Sequence, residues 1–320
     1  MTLREFYDEW NAPTSTILVH TSGSTGEPKP LLVEKRRMVA SATMTCDFFG
    51  LRPGDTALLC MPLEYIAGKM MVVRAITRGM KLIDVEPSGH PMARLTDEQP
   101  IHLAAMVPLQ VFNTLAVEEE CERLKRVKHL IIGGGPLDER VEQQLNSFPN
   151  HVWATYGMTE TLSHVAMRRV NGPEGTKWYT PMPGVKMETA DDGCLVVKAP
   201  ALCQDVLHTH DIVEWHPDGK RFKVVGRSDN IACSGGVKIQ MEKVEEALRP
   251  YLKFPFFVAK TKDEKFGEIL VLVTEGGDKQ EIEDIFNHVL PPYWKPRKIV
   301  FVKVLPLTET GKPLRRVVLG

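Results

Sequence analysis

The sequence has none of the features that would set it apart from ordinary globular enzymes. It contains no C-x-x-C pair: its six cysteines, at 46, 60, 121, 194, 203 and 233, are scattered through 320 residues. That excludes a small disulfide framework and fits reduced thiols, so no bridges are expected. His208 and His210 lie near Cys203, but at a spacing that fits no zinc pattern. No apolar run is long enough for a membrane-spanning helix. The opening Met1-Thr2-Leu3-Arg4-Glu5-Phe6-Tyr7-Asp8-Glu9-Trp10 is charged and lacks the apolar core of a signal peptide, which predicts a cytoplasmic protein. Neither sign of charge dominates: 40 Lys and Arg face 41 Asp and Glu, a net charge of −1. Such a balance lacks the electrostatic footprint of a nucleic-acid surface. Internal repeats and low-complexity tracts are absent too. Hydrophobic residues at 43% and charged residues at 25% suffice for a packed core, and 320 residues exceed what one core usually holds. Two domains, one large and one small, are expected.

One stretch stands out: His20-Thr21-Ser22-Gly23-Ser24-Thr25-Gly26-Glu27-Pro28-Lys29. It follows Ser15-Thr16-Ile17-Leu18-Val19, a β-branched apolar run that reads as a buried strand, so the loop should leave the end of a sheet. Gly23 and Gly26 let the backbone curl with its N–H groups inward. Thr21, Ser22, Ser24, Thr25 and Lys29 add donors for the oxygens of a polyphosphate. The Walker A loop is a poor match, because Gly26 is followed by Glu27-Pro28-Lys29-Pro30 instead of Lys-Ser/Thr opening a helix. An ordinary Ser/Gly surface loop is the plainer alternative.

Downstream, strands at 56–60, 81–85, 101–107, 130–132 and 151–155 alternate with helices at 34–49, 69–77 and 138–148. This alternation predicts an α/β domain with a layered, mainly parallel sheet and ligands at the carboxyl ends of its strands. From Gly193 the texture is strand-rich, with a hairpin around Pro217-Asp218-Gly219. After Gly226, strands at 256–260, 269–274 and 299–304 mix with helices at 241–248 and 279–290, predicting a small α+β domain. The boundary is set at 1–226 and 227–320.

Several motifs fall at strand ends. Gly133-Gly134-Gly135 after Ile131-Ile132 could lay bare backbone against a flat ligand, or be a plain strand-to-helix turn. Tyr156-Gly157-Met158-Thr159-Glu160 offers an aromatic ring for stacking, with a hydroxyl and a carboxylate able to hold Mg²⁺ against a phosphate. Further on come Thr209-His210-Asp211, Gly226-Arg227-Ser228-Asp229, Ser234-Gly235-Gly236-Val237-Lys238-Ile239 and Pro306-Leu307-Thr308-Glu309-Thr310-Gly311-Lys312. By itself Lys312 is a solvated terminal lysine.

Taken together and in this order, these motifs resemble those of the adenylate-forming enzymes, the superfamily of acyl-CoA synthetases, aryl-CoA ligases, luciferase and peptide-synthetase adenylation domains. The resemblance spans nearly the whole chain. It implies an acid–thiol ligase that uses ATP, Mg²⁺ and coenzyme A and forms AMP and pyrophosphate through an acyl-adenylate. The implied nucleotide-binding residues are Thr21, Ser22, Gly23, Ser24, Thr25, Gly26 and Lys29 on phosphate, Tyr156 on adenine, Asp211 and Arg227 on ribose, and Gly133, Gly134, Gly135 and Gly157 beside them. Thr159 would contact phosphate, Glu160 would serve the metal, and Lys312 would bridge the substrate carboxylate and the α-phosphate. Asp229 would be the hinge of a mobile C-terminal domain, whose Ser234, Gly235 and Gly236 serve the thioester step. His210 stands where the family has glycine.

Within the family, Asp229-Asn230-Ile231 with Ser234 to Gln240, and Met61-Pro62-Leu63 with Gly68 and Arg74, look most like the o-succinylbenzoate–CoA ligases of menaquinone synthesis. In those enzymes an arginine at this offset from the glycine faces the substrate's second carboxylate; Lys69 is the reserve candidate. An exposed helix arginine is the alternative for Arg74. The implied partners are a small aromatic carboxylate, ATP and CoA, with homo-oligomerisation left open and no nucleic acid or membrane. The family's long N-terminal subdomain is expected to be shortened here, since only residues 1–20 precede the phosphate loop. Two other readings stay open: another aryl- or acyl-CoA ligase, and a homologue that binds nucleotide without ligating anything.

Overall fold

The computed structural model describes residues 1–20, 30–96, 100–307 and 313–315. The chain divides into two compact units. One comprises Met1–Met187, Val197–Leu207 and Trp215–Phe222, the other Glu188–Val196, His208–Glu214 and Lys223–Gly320.

In the first unit the chain runs α1 (Leu3–Asn11), β1 (Thr16–His20), β2 (Pro30–Glu34), α2 (Lys35–Phe48), β3 (Thr56–Leu59), α3 (Ile66–Arg78), β4 (Lys81–Asp84) and β5 (Leu103–Met106). There follow α4 (Pro108–Leu115), α5 (Glu118–Lys125), β6 (His129–Ile132), α6 (Glu139–Leu145), β7 (His151–Gly157), β8 (His164–Arg169) and β9 (Thr180–Pro181). Strands β3 to β9 build a seven-stranded sheet in the order β4-β3-β5-β6-β7-β8-β9. The five strands from β4 to β7 pair in parallel, while β8 and β9 are antiparallel. The expected mainly parallel sheet is therefore present. Its inner strands are buried along their whole length, as Leu103–Met106 and His129–Ile132 show. Burial on both faces explains why they read as short unbroken apolar runs.

Strand β1 ends at residue 20 at the edge of a sheet, as expected, but is only half-buried. It does not enter the large sheet but forms a separate two-stranded antiparallel sheet with β2. Only one of its faces is covered: Ile17 and Val19 are buried, whereas Leu18 lies exposed opposite an exposed Leu32. An apolar run of five does not reveal which strand it pairs with. His20 makes a bridge to Tyr65, which ties β1 to the start of α3.

Helix α1 was not anticipated, although its start is written in the sequence. Thr2 and Glu5 form a reciprocal capping box. Its far end is held by the Lys35 ammonium, which donates to the carbonyls of Glu9, Trp10 and Ala12 at 3.0, 2.7 and 2.8 Å. These carbonyls are orphaned by the end of the helix and carry its negative pole.

Strands β10 (Lys186–Thr189), β11 (Cys194–Lys198), β12 (Leu207–Trp215) and β13 (Phe222–Arg227) form a four-stranded sheet in that order. Later elements are β14 (Ile231–Ser234), β15 (Val237–Gln240), α7 (Met241–Leu248), β16 (Phe256–Asp263), β17 (Gly267–Thr274), α8 (Lys279–Val289) and β18 (Lys298–Phe301). The five strands among them share one mixed sheet. Helices α7 and α8 bury Val244, Leu248, Ile282 and Phe286 in a core with Val258, Leu270 and Leu272 from the sheet. All six cysteines are free. Among the described residues, no helix is long and apolar enough to cross a membrane.

Candidate active site

Helix α3 carries both candidates for the acyl substrate, and its start is fixed by a close approach. A Cβ on Gly68 would fall 2.3 Å from the Pro62 carbonyl oxygen, so only glycine lets the helix pack onto the Met61-Pro62 turn. From there Lys69 and Arg74 take different partners. The Lys69 ammonium donates to the Leu18 carbonyl at 2.9 Å and to Glu9 at 3.3 Å. Its charge is thus answered within the protein. Arg74 is 2% exposed, which removes the reading of a solvated helix arginine. Its guanidinium donates to Ser163 Oγ at 2.5 Å and to Met71 Sδ at 3.4 Å, and its Nε has no hydrogen-bond partner among the described residues. Among the described residues no carboxylate pairs with it. Burial pushes its pKa down to about 10, with only the nearby Cys46 thiol acting in the other direction.

Strand β7 ends in the Tyr156-Gly157 pair, and Thr159 and Glu160 follow in a single turn of 3₁₀ helix. Tyr156 is half-buried, with its ring edge-on to Phe222 at 5.4 Å. Glu160 is exposed and makes no ion pair among the described residues. The chain then reverses sharply. Ser163 N–H donates to the Thr161 carbonyl at 2.7 Å across Leu162, whose φ is +67°. This is a γ-turn on a bulky residue, a strained conformation of the sort that persists where the surroundings impose it. Gly157 makes the reversal possible, because a Cβ there would lie 2.3 Å from the Ser163 carbonyl oxygen. Gly133, Gly134 and Gly135 lie just beyond β6, where the Gly133 N–H donates to the Met106 carbonyl at 3.1 Å.

In the second unit, the two expected ribose residues and the expected hinge residue meet. Arg227, at the end of β13, donates through Nε and NH2 to the two carboxylate oxygens of Asp229 at 2.9 and 2.8 Å. Through NH1 it donates to Asp211 of β12 at 3.1 Å. Burial pushes the Asp229 carboxyl up, but the Arg227 hydrogen bonds and charge outweigh it and hold the pKa below its usual value. Arg227 is correspondingly raised, first by its hydrogen bond to Asp229. His210 Nδ1 lies 3.3 Å from Ser228 Oγ. Ser234 ends β14, and Gly235 and Gly236 make the turn into β15.

The remaining expected site residues, Thr21, Ser22, Gly23, Ser24, Thr25, Gly26, Lys29 and Lys312, lie outside the described residues. Sequence reasoning missed three side chains around Arg74: Ser163, His164 and Thr45. His164 is 4% exposed, and burial first, with Arg74 second, pushes its pKa well below the ordinary histidine value. A polar Ser-His pair opening the apolar strand Val165-Ala166-Met167 was the available signal.

Residues 5–200 match the AMP-binding enzyme family, and residues 256–312 match the AMP-binding enzyme C-terminal domain. The 2-succinylbenzoate–CoA ligase of Bacillus mycoides is 26% identical, with 97% of this chain aligned to 70% of that protein. The Listeria monocytogenes enzyme of the same name is 24% identical over 96% and 70%. Among solved structures, an acyl-CoA synthetase (AMP-forming)/AMP-acid ligase II-like protein from Dyadobacter fermentans is 33% identical, covering 98% of this chain and 91% of that one, with a TM-score of 0.66. The O-succinylbenzoate CoA synthetase of Bacillus subtilis, solved with ATP and magnesium, shares the fold at 21% identity and a TM-score of 0.78, covering 94% and 69%. With a family match over more than half its length, the chain belongs to the AMP-binding enzyme family.

Proposed function

We propose that the chain is an ATP-dependent carboxylate–CoA ligase whose substrate is the aromatic dicarboxylate o-succinylbenzoate. In the first half-reaction a carboxylate oxygen attacks the α-phosphorus of ATP, giving acyl-AMP and releasing pyrophosphate. In the second, the CoA thiol attacks the acyl carbon, AMP leaves, and the thiol proton is released. Adenylation supplies the leaving group that a carboxylate lacks. We place the reaction in the cytoplasm, where ATP and CoA are found.

The side chains present suit these ligands. Glu160 is an exposed carboxylate that pairs with no cation among the described residues, which fits a Mg²⁺ ligand, and Mg²⁺ would offset the charge of the phosphates. Asp211, backed by Arg227, can accept from a ribose hydroxyl. Tyr156 offers a partly exposed ring to adenine. Thr21, Ser22, Gly23, Ser24, Thr25, Gly26 and Lys29 are assigned to the phosphates and Lys312 to the reacting oxygens. Asp229 is assigned as the hinge, with Ser234, Gly235 and Gly236 in the thioester step.

The observation that carries the choice of substrate is Arg74. A buried guanidinium without an anion is costly, and a fold keeps one where the missing anion arrives with the ligand. A dicarboxylate spends one carboxylate on adenylation and leaves the other to be neutralised, and arginine can grip it bidentately. Lys69, already paired with Glu9, has less to offer. Pyrophosphate release and thioester formation, followed over a panel of mono- and dicarboxylates with wild type and Arg74→Ala, test the reading. The variant is expected to raise KM for o-succinylbenzoate far more than KM for ATP. Wild type indifferent to the second carboxylate would move the chain to another aryl- or acyl-CoA ligase. Nucleotide binding with no pyrophosphate release from any acid would make it a binding homologue.

A further inference from the structure

The groups behind Arg74 form a chain whose hydrogen positions are all fixed by its far end. Thr45 Oγ1, on α2, donates to the Ser41 carbonyl at 3.0 Å, so towards His164 it can only accept. His164 Nε2 lies 3.0 Å from that oxygen and must therefore carry the proton. The imidazole is buried beside a cation and stays neutral, which leaves Nδ1 as a bare acceptor. Ser163 Oγ, 3.3 Å from Nδ1, is then the donor of that pair. With its proton committed, the Ser163 oxygen turns a lone pair to Arg74 NH2 at 2.5 Å.

Every proton in the series points away from Arg74, and the last rests on a backbone carbonyl. A carboxylate at position 163 would neutralise the guanidinium; a hydroxyl oriented in this way holds it in place and leaves its charge for an incoming anion. The backbone supports the same arrangement. The γ-turn at Leu162 and the close approach at Gly157 fix Ser163 and His164 to the end of the Tyr156–Glu160 motif.

We propose that Ser163, His164 and Thr45 are positioning residues that hold Arg74 oriented and unneutralised for the second carboxylate of the substrate, and so determine the preference for a dicarboxylate. This rests on the assignment of Arg74 to that carboxylate.

The test compares kcat and KM for o-succinylbenzoate and for the same keto acid lacking the ring carboxylate, in wild type, Ser163→Ala, Ser163→Thr and Thr45→Val, with thermal unfolding as a check on folding. Ser163→Ala is expected to raise KM for the dicarboxylate by about tenfold, while KM for ATP and for the monocarboxylate change by less than about twofold. Ser163→Thr, which keeps the hydroxyl, should restore most of the preference. Thr45→Val, two hydrogen bonds further along, should shift it in the same direction by about threefold. If Ser163→Ala does not fold, Thr45→Val decides the matter. A dicarboxylate preference present in wild type and unchanged in the folded variants overturns the relay while leaving the substrate assignment standing. Absence of that preference in wild type overturns both.

Discussion

Arg227 grips Asp229 with two arms of its guanidinium, Nε on one carboxylate oxygen at 2.9 Å and NH2 on the other at 2.8 Å. The third arm reaches Asp211 at 3.1 Å, so a single planar cation joins the proposed hinge to a proposed ribose ligand. A planar fork holds both oxygens of Asp229 on one edge while its remaining arm reaches Asp211; an ammonium also has three donors, but they radiate from one nitrogen and cannot span the two carboxylates in this way. Arg227→Lys is therefore expected to raise KM for ATP by about tenfold, close to 1.4 kcal/mol. Unchanged ATP kinetics in this variant would confine the Arg227 cluster to a structural role.

Lys69 and Arg74 stand five residues apart on α3, and the structure separates their roles. Lys69 is spent on Glu9 and the Leu18 carbonyl, holding α1 and β1 to the helix. Lys69→Ala leaves a partly buried Glu9 and a carbonyl unpaired, and should cost about 1–3 kcal/mol of stability. The loss would appear as a lower urea midpoint. A larger effect on KM for o-succinylbenzoate than on that midpoint would return Lys69 to the acyl site.

How much of this was readable in the sequence depended on whether the signal was local. Ala57-Leu58-Leu59 and Leu130-Ile131-Ile132 announce parallel strands because burial on both faces leaves no polar position. The motif residues announce themselves because their chemistry needs particular side chains at short spacing. What stayed hidden was pairing at a distance. Nothing in Ile17-Leu18-Val19 says that its neighbour is Leu31-Leu32-Val33. Nor does the helical spacing of Arg74 say that its guanidinium meets a serine 89 residues later. The capping box at Thr2 and Glu5 is a local signal too, three residues apart at the start of α1.

Acid should weaken the fold through His129. Both its ring nitrogens are buried without a hydrogen-bond partner among the described residues, and its ring packs on Phe49 at 4.8 Å and stacks on His151 at 5.2 Å. Burial first, then the charges of His151, Lys128, Arg169 and His102, bring its pKa to about 4. An unfolded chain protonates this imidazole near its ordinary value of about 6.5, whereas the folded chain resists, so between those two pH values the unfolded state binds more protons. Stability should accordingly fall as pH is lowered from about 6.5 to about 4, by at most about 3 kcal/mol from this group, and this contribution should flatten below that. His129→Leu should be no less stable at neutral pH and should lose the His129 share of the slope, the rest coming from buried His164 and from His151. Parallel stability–pH curves for wild type and variant would exclude His129 as the source.

Lys312 offers the sharpest division between the two half-reactions. In the proposed mechanism two anions, the substrate carboxylate and the α-phosphate, must approach before the new bond forms, and a cation between them acts mainly in the transition state. Such a charge affects rate more than ground-state affinity. Lys312→Ala should therefore slow adenylation by about 10²–10³-fold, while the affinity for MgATP, read by calorimetry, changes little. Thioester formation from supplied acyl-adenylate should persist, because by then the carboxylate and α-phosphate are already joined. Pyrophosphate exchange and thioester release, measured separately on the same preparation, give the two rates. Were both to fall by the same factor, Lys312 would serve binding or the fold, and the first half-reaction would need another cation.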